Sequence, residues 1–243
     1  TRKPVDEIVH NKLNDLVRLY LLVGGMPEVV QKYINTNNLQ IVRATQLDIM
    51  HLYTKDISKY DPQNKLYIKD IFELIPSELN AKNKRFILKA LNEKAKFERY
   101  SNSFLWLADA GVALPVYNVE EPRLPLKLGE QRNLFKLFLN DVGLLASQYA
   151  ANIAIEILTG DAKINYGAIY ENFAAQELRA HGYNLYYFNN KKQGELDFVV
   201  ENNDGILPIE IKSGKDYKRH NALSNVMLND EYNISEAIVF SNG

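Results

Sequence analysis

The stretch Gly194–Gly214, GELDFVVENNDGILPIEIKSG, contains two β-strand patterns separated by one turn. Both patterns are rich in Leu, Phe, Val and Ile, which favour strands. The intervening ENNDG has the Asn, Asp and Gly that tolerate left-handed backbone angles, so it predicts an antiparallel pair of strands. Three charged residues interrupt these apolar patterns: Asp197, Glu210 and Lys212. A charge placed there needs a partner, a metal ion or water.

Strand geometry predicts that these three charges are neighbours. Side chains alternate across a strand, so Asp197 and Val199 are expected on one face and Phe198 on the other. In the next strand Glu210 and Lys212 share a face. A register that pairs the apolar faces brings Asp197, Glu210 and Lys212 together.

A fourth charge is predicted from the preceding helix, YGAIYENFAAQELRAHG. At about 100° per residue, Glu171 falls in the apolar sector of this helix, beside Ala175 and Leu178. Three acids around one lysine are poorly balanced as an ion-pair cluster but suit a hard divalent cation, which prefers carboxylate oxygens and water. Lys212 could then orient an attacking water or stabilise charge on a phosphate. Alternatively, Glu210 and Lys212 are ordinary charges on a solvated strand face.

Composition narrows the class of protein. The chain has 243 residues, of which 46% are hydrophobic and 24% charged, and its net charge is −1. Its N-terminus is polar and no apolar run approaches the roughly 20 residues that cross a bilayer, so we expect a cytoplasmic protein without membrane contact. Cysteine is absent and the four histidines show no metal-ligand spacing. Any metal must therefore be held by oxygen.

The pattern of elements predicts three parts. Residues 1–62 have helical periodicity and form a helical segment. In residues 63–150 the sequence predicts short helices over 66–76, 83–93 and 101–112. A hairpin in ALPVYNVEEPRLPLKL and a helix in FKLFLNDVGLLASQYA follow. Three helices and a hairpin are typical of a winged helix. Residues 151–243 predict helix, three strands, helix and a last strand, EAIVFS. The expected class is α+β or α/β.

Two basic runs are candidates for nucleic-acid contact. Between residues 82 and 99 there are seven basic residues and two acidic ones, and a second run reads KSGKDYKRH. Such clusters can face phosphates, although an ordinary solvated surface would also explain them. The candidate contacts are Lys82, Lys84, Arg85, Lys89, Lys215, Lys218 and Arg219.

No nucleotide-binding loop is predicted. Gly24 and Gly25 precede Pro27, but neither Lys-Ser nor Lys-Thr follows, so a helix end and a turn explain them better than a phosphate loop. The P-loop pattern occurs nowhere in the chain.

The order of Glu171 on a helix, ELD on a strand and EIK after a hairpin resembles the PD-(D/E)XK nuclease fold of restriction endonucleases. The resemblance implies that Asp197 and Glu210 bind Mg²⁺ or Mn²⁺, that Lys212 assists the water and that Glu171 supports the metal site. The usual Pro before the Asp is replaced by Leu196.

A longer resemblance covers most of the chain. YLLVGGMPEVVQKY, YTKDISKY, WLADAGVALPVYNV, PLKL and FKLFLNDVGLL are similar to the C-terminal region of a prokaryotic family of AAA-type P-loop ATPases. In that family an ATPase domain comes first, a winged-helix region follows and a nuclease-like domain ends the chain. The resemblance implies that the chain is a fragment whose partner is an N-terminal ATPase domain.

These observations lead to two expectations for function. The first is a divalent-metal-dependent nuclease that acts on DNA. The second is a non-catalytic module that uses a nuclease-like fold to bind DNA or protein, because fold similarity does not establish activity.

Overall fold

The computed structural model describes residues 5–60, 65–93, 96–160, 166–213 and 220–241. Within these ranges the chain forms nine α-helices and a six-stranded mixed sheet. The predicted mixed α/β class is therefore confirmed.

The N-terminal part is helical, as predicted, with α1 at Glu7–Val23, α2 at Pro27–Thr36 and α3 at Leu39–Tyr60. Asp6 caps α1, because its side chain accepts a hydrogen bond of 2.9 Å from the Ile8 N–H. The helix ends at Gly24, where φ is +71°. The local rules for helix ends thus explain these boundaries.

The remaining helices are α4 at Lys65–Asn80, α5 at Phe97–Asp109, α6 at Val142–Ser147, α7 at Ala151–Thr159, α8 at Gly167–Ala180 and α9 at Asn221–Met227. The strands are β1 at Ala113–Val119, β2 at Glu130–Leu139, β3 at Tyr186–Asn190, β4 at Gly194–Asn202, β5 at Gly205–Lys212 and β6 at Ile238–Ser241.

The strand order is β2-β1-β3-β4-β5-β6, and only the pairs β1–β3 and β5–β6 are parallel among the described strands. The predicted antiparallel turn between β4 and β5 is confirmed, with Gly205 at a φ of +132°. Because β1 pairs with β3, one sheet contains strands from both of the segments predicted as 63–150 and 151–243. The division of the chain into three domains stays a prediction.

The helix predicted over residues 83–93 is wrong. Only Leu88–Ala90 is helical, as a 3₁₀ turn. Lys84 has a φ of +48°, which an α-helix does not allow, and the Phe86 N–H donates to the Phe135 carbonyl at 2.9 Å. The two phenyl rings also stack at 5.8 Å. Contact with β2 therefore overrides local helical preference in this segment.

The helix predicted from Phe135 to Ala150 is wrong in its first part. Residues 135–139 complete β2, which pairs with β1 at Leu137 and Pro115, and α6 begins only after Asp141. The hairpin predicted within ALPVYNVEEPRLPLKL extends beyond that segment, because LPLKL contains a 3₁₀ turn and β1 pairs with β2 further along the chain. FKLFL is buried on both sides, and periodicity alone cannot distinguish such a strand from a buried helix.

Asn172 of α8 fixes the end of β2 against this helix. Its side-chain oxygen accepts from the Leu139 N–H at 2.8 Å and its amide donates to the Leu139 carbonyl at 3.0 Å. Asn172 is fully buried. One side chain thus satisfies both backbone groups of a buried residue.

We expect Asn172→Ala to lower the free energy of unfolding by about 1–3 kcal/mol for each backbone group left without a partner. Urea unfolding of wild type and variant measures the loss. Asn152→Ala, at an exposed position of α7, is the control and should change stability by no more than about 0.5 kcal/mol. Equal losses in both variants would show that Asn172 does not clamp β2.

Candidate functional site

A buried lysine lies at the centre of the candidate site. The Lys136 side chain on β2 is 0% exposed. Its Nζ lies 2.8 Å from Glu195 Oε1, 3.4 Å from Glu171 Oε2 and 3.8 Å from Asp197 Oδ1. It also lies 5.2 Å from the centre of the Tyr187 ring. Lys136 was missed in the sequence, although it is the one charge inside the apolar run FKLFL.

Glu171 receives a second cation from a distant loop. It is buried on α8, as predicted, and Lys84 forms an ion pair with its Oε1. Burial alone raises the pKa of Glu171, but Lys136 and Lys84 outweigh burial and hold that pKa below its ordinary value. The left-handed backbone conformation at Lys84 lies in the loop that places this ammonium against α8. We call Lys84, Lys136, Glu171, Glu195 and Asp197 the lysine network.

Burial also affects Lys136 itself. Burial lowers the pKa of Lys136, but the charges of Glu171, Asp197 and Glu195 outweigh it, so this pKa lies above its ordinary value. Lys136 therefore stays charged inside the protein. A buried ammonium is tolerated there because carboxylates surround it.

A β-bulge places Asp197 in this network. Tyr186 pairs with Val199 and Phe188 pairs with Leu196, so β4 uses one residue more than β3 over the same length. Leu196 and Val199 pack on the side of the sheet covered by α9, whereas Phe198 packs on the side covered by α8. The expected alternation of Asp197 and Val199 against Phe198 is thus wrong, because Asp197 and Phe198 share the α8 side.

Asp197 has few partners for its charge. Its side chain is 17% exposed, and its Oδ2 accepts a hydrogen bond of 2.8 Å from the Ile211 N–H. Burial raises the pKa of Asp197 to about 7, and the charge of Glu171 adds to the rise against the opposing effect of Lys136. Counted as charges, the lysine network has three carboxylates and two ammonium groups. The excess negative charge acts on Asp197, whose pKa is raised.

Glu210 and Lys212 form a separate pair. Glu210 Oε1 lies 2.5 Å from Lys212 Nζ, and its Oε2 lies 3.5 Å from His220 Nδ1, at the start of α9. Ile209 and Ile211 pack on the α8 side, so the intervening Glu210 is turned to the other side of the sheet. Within the described part of the chain no ion pair joins Asp197 to Lys212.

The expected grouping of four residues is therefore present only in part. Glu171 and Asp197 lie together, Glu210 and Lys212 lie together, and the backbone of Ile211 connects the two pairs. Among the described residues no group of three or more His, Asp or Glu side chains is arranged to hold a metal ion.

The residues predicted to contact nucleic acid differ in their exposure to solvent. Lys82 and Lys89 are exposed, whereas Arg85 is half-buried and Lys84 is engaged with Glu171. Three further predicted contacts lie outside the described residues: Lys215, Lys218 and Arg219. Only Lys82 and Lys89 thus have the exposure expected of phosphate contacts among the four described residues.

None of the helices in the described ranges combines the length and the apolar character that a bilayer crossing requires.

Comparison with known families divides the chain into two matched stretches. A family model described as a domain of unknown function (DUF8612) matches residues 14–154. A second domain of unknown function (DUF4143) matches residues 166–243, and this domain is common in AAA-ATPase-associated proteins. No curated protein and no solved structure matches the chain.

We expect Lys136→Met to lower the free energy of unfolding by about 3–5 kcal/mol near neutral pH, because the buried Glu171 and the partly buried Glu195 and Asp197 would keep only the Lys84 ammonium among them. Chemical unfolding at neutral and acidic pH measures this. The loss should shrink at acidic pH, where carboxylates become protonated. Lys127→Met, at an exposed position, is the matched control, and a loss no larger than the control's would contradict the structural role of Lys136.

The pKa of Asp197 predicts a pH-dependent stability. Since this pKa rises on folding from 3.8 to about 7, the folded state binds more protons than the unfolded state between these values. The contribution of Asp197 to the free energy of unfolding therefore falls as pH rises from about 4 to 7. Asp197→Asn removes this effect, so the stability of the variant relative to wild type should grow with pH over the same window.

Unfolding midpoints of wild type and Asp197→Asn across this pH range provide the measurement. Asp204→Asn, in the exposed turn between β4 and β5, serves as the control and should show no such trend. A constant difference between wild type and Asp197→Asn at every pH would contradict the assignment.

Proposed function

The chain belongs to the DUF8612 family, and from this premise we propose that it is the non-ATPase part of an ATPase-associated protein and cleaves DNA in a divalent-metal-dependent reaction. In this proposal residues 151–243 have a PD-(D/E)XK nuclease-like fold and residues 63–150 a winged-helix-like one. The order of α8, β4, turn and β5 supports it, since the helix Glu, the strand Asp and the E-x-K triplet occur in sequence along them.

One observation carries the proposal. The pairing of β4 with β5 ends at Phe198 and Ile209, so Asp197 and Glu210 flank the point where the two strands separate. The carboxylate of Asp197 accepts the N–H of Ile211, the residue between Glu210 and Lys212. An acid of one strand therefore lies against the backbone of the E-x-K triplet in the other, at an open end of the pair.

Charge and donor type fit Mg²⁺ or Mn²⁺. Asp197 and Glu210 provide carboxylate oxygens, and the lysine network has one acid more than its ammonium groups can neutralise. Mg²⁺ commonly uses one or two protein carboxylates and completes its shell with water and substrate phosphate, so two ligands suffice. In the present conformation Glu210 contacts Lys212 and lies on the side of the sheet opposite Asp197. Its carboxylate would have to leave Lys212 and reach past the separated end of the strand pair to join Asp197 at one ion.

The residues of the chain then have distinct roles. Asp197 and Glu210 would hold the cation, which when bound polarises the phosphodiester and favours ionisation of a water. Lys212, released from Glu210, would orient that water or stabilise charge on the phosphate. Glu171 does not face the reacting atoms in this proposal; it positions Lys136 and Lys84, whose charges act on Asp197.

DNA and an ATPase domain of the same full-length protein are the proposed partners. Lys82 and Lys89 are the exposed candidates for phosphate contact in the first basic run. The family match at residues 166–243 supports the link to ATPases, because that domain is common in proteins associated with them.

A second candidate function is a non-catalytic module that binds DNA or protein. The ion pairs of the site favour this alternative. The ammonium of Lys136 already lies among three carboxylates, and Glu210 already has Lys212 as its partner. In this alternative the acids stabilise the fold and take no part in chemistry. The two candidates differ in what removal of Lys212 does.

We expect Asp197→Ala to abolish metal-dependent cleavage and leave the fold intact. The variant removes a ligand, and relief of one excess charge offsets the lost hydrogen bond to the Ile211 N–H. Lys212→Ala should retain the fold and slow cleavage by about 10²- to 10⁴-fold. The measurement is cleavage of plasmid and single-stranded DNA with increasing Mg²⁺ or Mn²⁺, beside thermal melts. Asp204→Ala, in the exposed turn, should cleave like wild type.

The non-catalytic alternative predicts a different pattern. Loss of Lys212 would leave Glu210 without its cation and lower the free energy of unfolding by about 1–3 kcal/mol, with no cleavage by any variant. The experiment includes the full-length protein that contains the ATPase domain. If neither this protein nor the wild-type chain cleaves DNA, the nuclease proposal is wrong.

A further inference from the structure

A cavity of about 410 Å³ lies between α1, α8 and the β5–β6 edge of the sheet. This size is within the range of about 300–1,000 Å³ found for sites that bind small molecules or parts of larger ones. Lys212 lines the cavity, and none of the five residues of the lysine network is among the described lining residues. The cavity is therefore continuous with one residue of the proposed nuclease site.

Aromatic rings contribute to the walls of the cavity. Four of the lining residues are Tyr170, Phe173, Tyr183 and Phe240. The ring of Phe173 is held edge-on against Tyr20 at 5.7 Å. Phe240 is 52% exposed. It pairs with Ile211 in the β5–β6 ladder, next to the pair of Lys212 with Ser241. Flat rings of this kind bind flat ligands by stacking.

The charged lining favours a ligand with an anionic end. Arg18 and Lys212 are the cationic residues of the lining, with Arg18 lying 3.5 Å from Asp15 and the Lys212 ammonium in contact with Glu210. Glu177 is the one acid among the described lining residues. Glu177 Oε1 already accepts a hydrogen bond of 3.1 Å from the Tyr20 hydroxyl. When a phosphate draws the Lys212 ammonium away from Glu210, the cavity combines an apolar, partly aromatic interior with guanidinium and ammonium groups, which complement an aromatic base attached to a phosphate.

We propose that this cavity binds the base of an unpaired nucleotide whose phosphate lies at Lys212, so that the chain recognises single-stranded nucleic acid. The inference rests on the proposed function, because it uses Lys212 as the shared residue. A base within a duplex is stacked and paired on its Watson–Crick edge, and it can enter such a cavity only after it leaves the stack. Single strands present that base without this cost.

The test measures binding without cleavage. Fluorescence anisotropy follows a labelled single-stranded oligonucleotide of about 12 nucleotides, a length within known single-strand site sizes, in buffer with EDTA. A duplex and an abasic strand of the same length are measured in parallel. We expect wild type to bind the single strand more tightly than either of these two.

Phe240→Ala should weaken binding of the single strand by about 5- to 150-fold, the range expected for loss of one base–aromatic stack. It should leave the affinity for the abasic strand unchanged. Phe240→Tyr keeps a ring and should bind like wild type. Leu128→Ala removes an apolar side chain that is 84% exposed and lies outside the cavity lining, so it should also bind like wild type.

The inference would be overturned by a wild type that binds none of the oligonucleotides. A Phe240→Ala effect no larger than that of Leu128→Ala, or an equal loss for the abasic strand, would also overturn it. Binding of an apolar fluorescent dye that depends on Phe240 while oligonucleotide affinity does not would assign the cavity to another ligand and likewise overturn it. Because EDTA prevents metal-dependent cleavage, a wild type that binds single strands through Phe240 but never cleaves contradicts only the nuclease proposal.

Discussion

The buried ammonium of Lys136 is the interaction on which the arrangement of this chain depends. A charge removed from water costs several kcal/mol unless oppositely charged groups surround it. Here the ammonium comes from β2, while its carboxylates come from α8 and β4. Since these elements lie far apart in the sequence, Lys136 is satisfied only when β2, β4 and α8 have assembled. Lys84 extends this requirement to the loop that follows α4.

α8 is the common support of the other long-range contacts. Asn172 pairs with the end of β2, and the Gln176 side chain accepts the Val142 N–H at 2.8 Å and donates to the Tyr20 hydroxyl at 2.7 Å. Asp141 in turn accepts the Gly25 N–H at 2.7 Å, and a Cβ at Gly24 would lie 2.2 Å from the Asp141 carboxylate. The glycine pair, which the sequence assigns to a helix end and a turn, therefore serves close packing of α1 against the start of α6.

Stability and the proposed chemistry draw on the same acids. Glu171 is fully compensated by two lysines, whereas Asp197 retains an excess of negative charge beside the E-x-K triplet. Sites that bind a cation or a proton often keep such an imbalance, because complete neutralisation within the protein would leave no affinity for the ligand. The bulge in β4 creates the imbalance by turning Asp197 toward Glu171 instead of away from it.

The sequence by itself determined the elements whose signals are local. The N-terminal helices follow from periodicity and end signals, the antiparallel β4–β5 pair from ENNDG, and the burial of Glu171 from its place in a helical apolar sector. Only the tertiary structure decided that residues 135–139 form a buried strand, that Lys84 leaves the helical conformation, and that Asp197 and Phe198 share one side of the sheet. Each of these depends on a partner far away in the chain: β1 for β2, Glu171 for Lys84 and β3 for the bulge. Periodicity describes how neighbouring residues alternate, but it cannot specify which distant charge or strand will compete with that alternation.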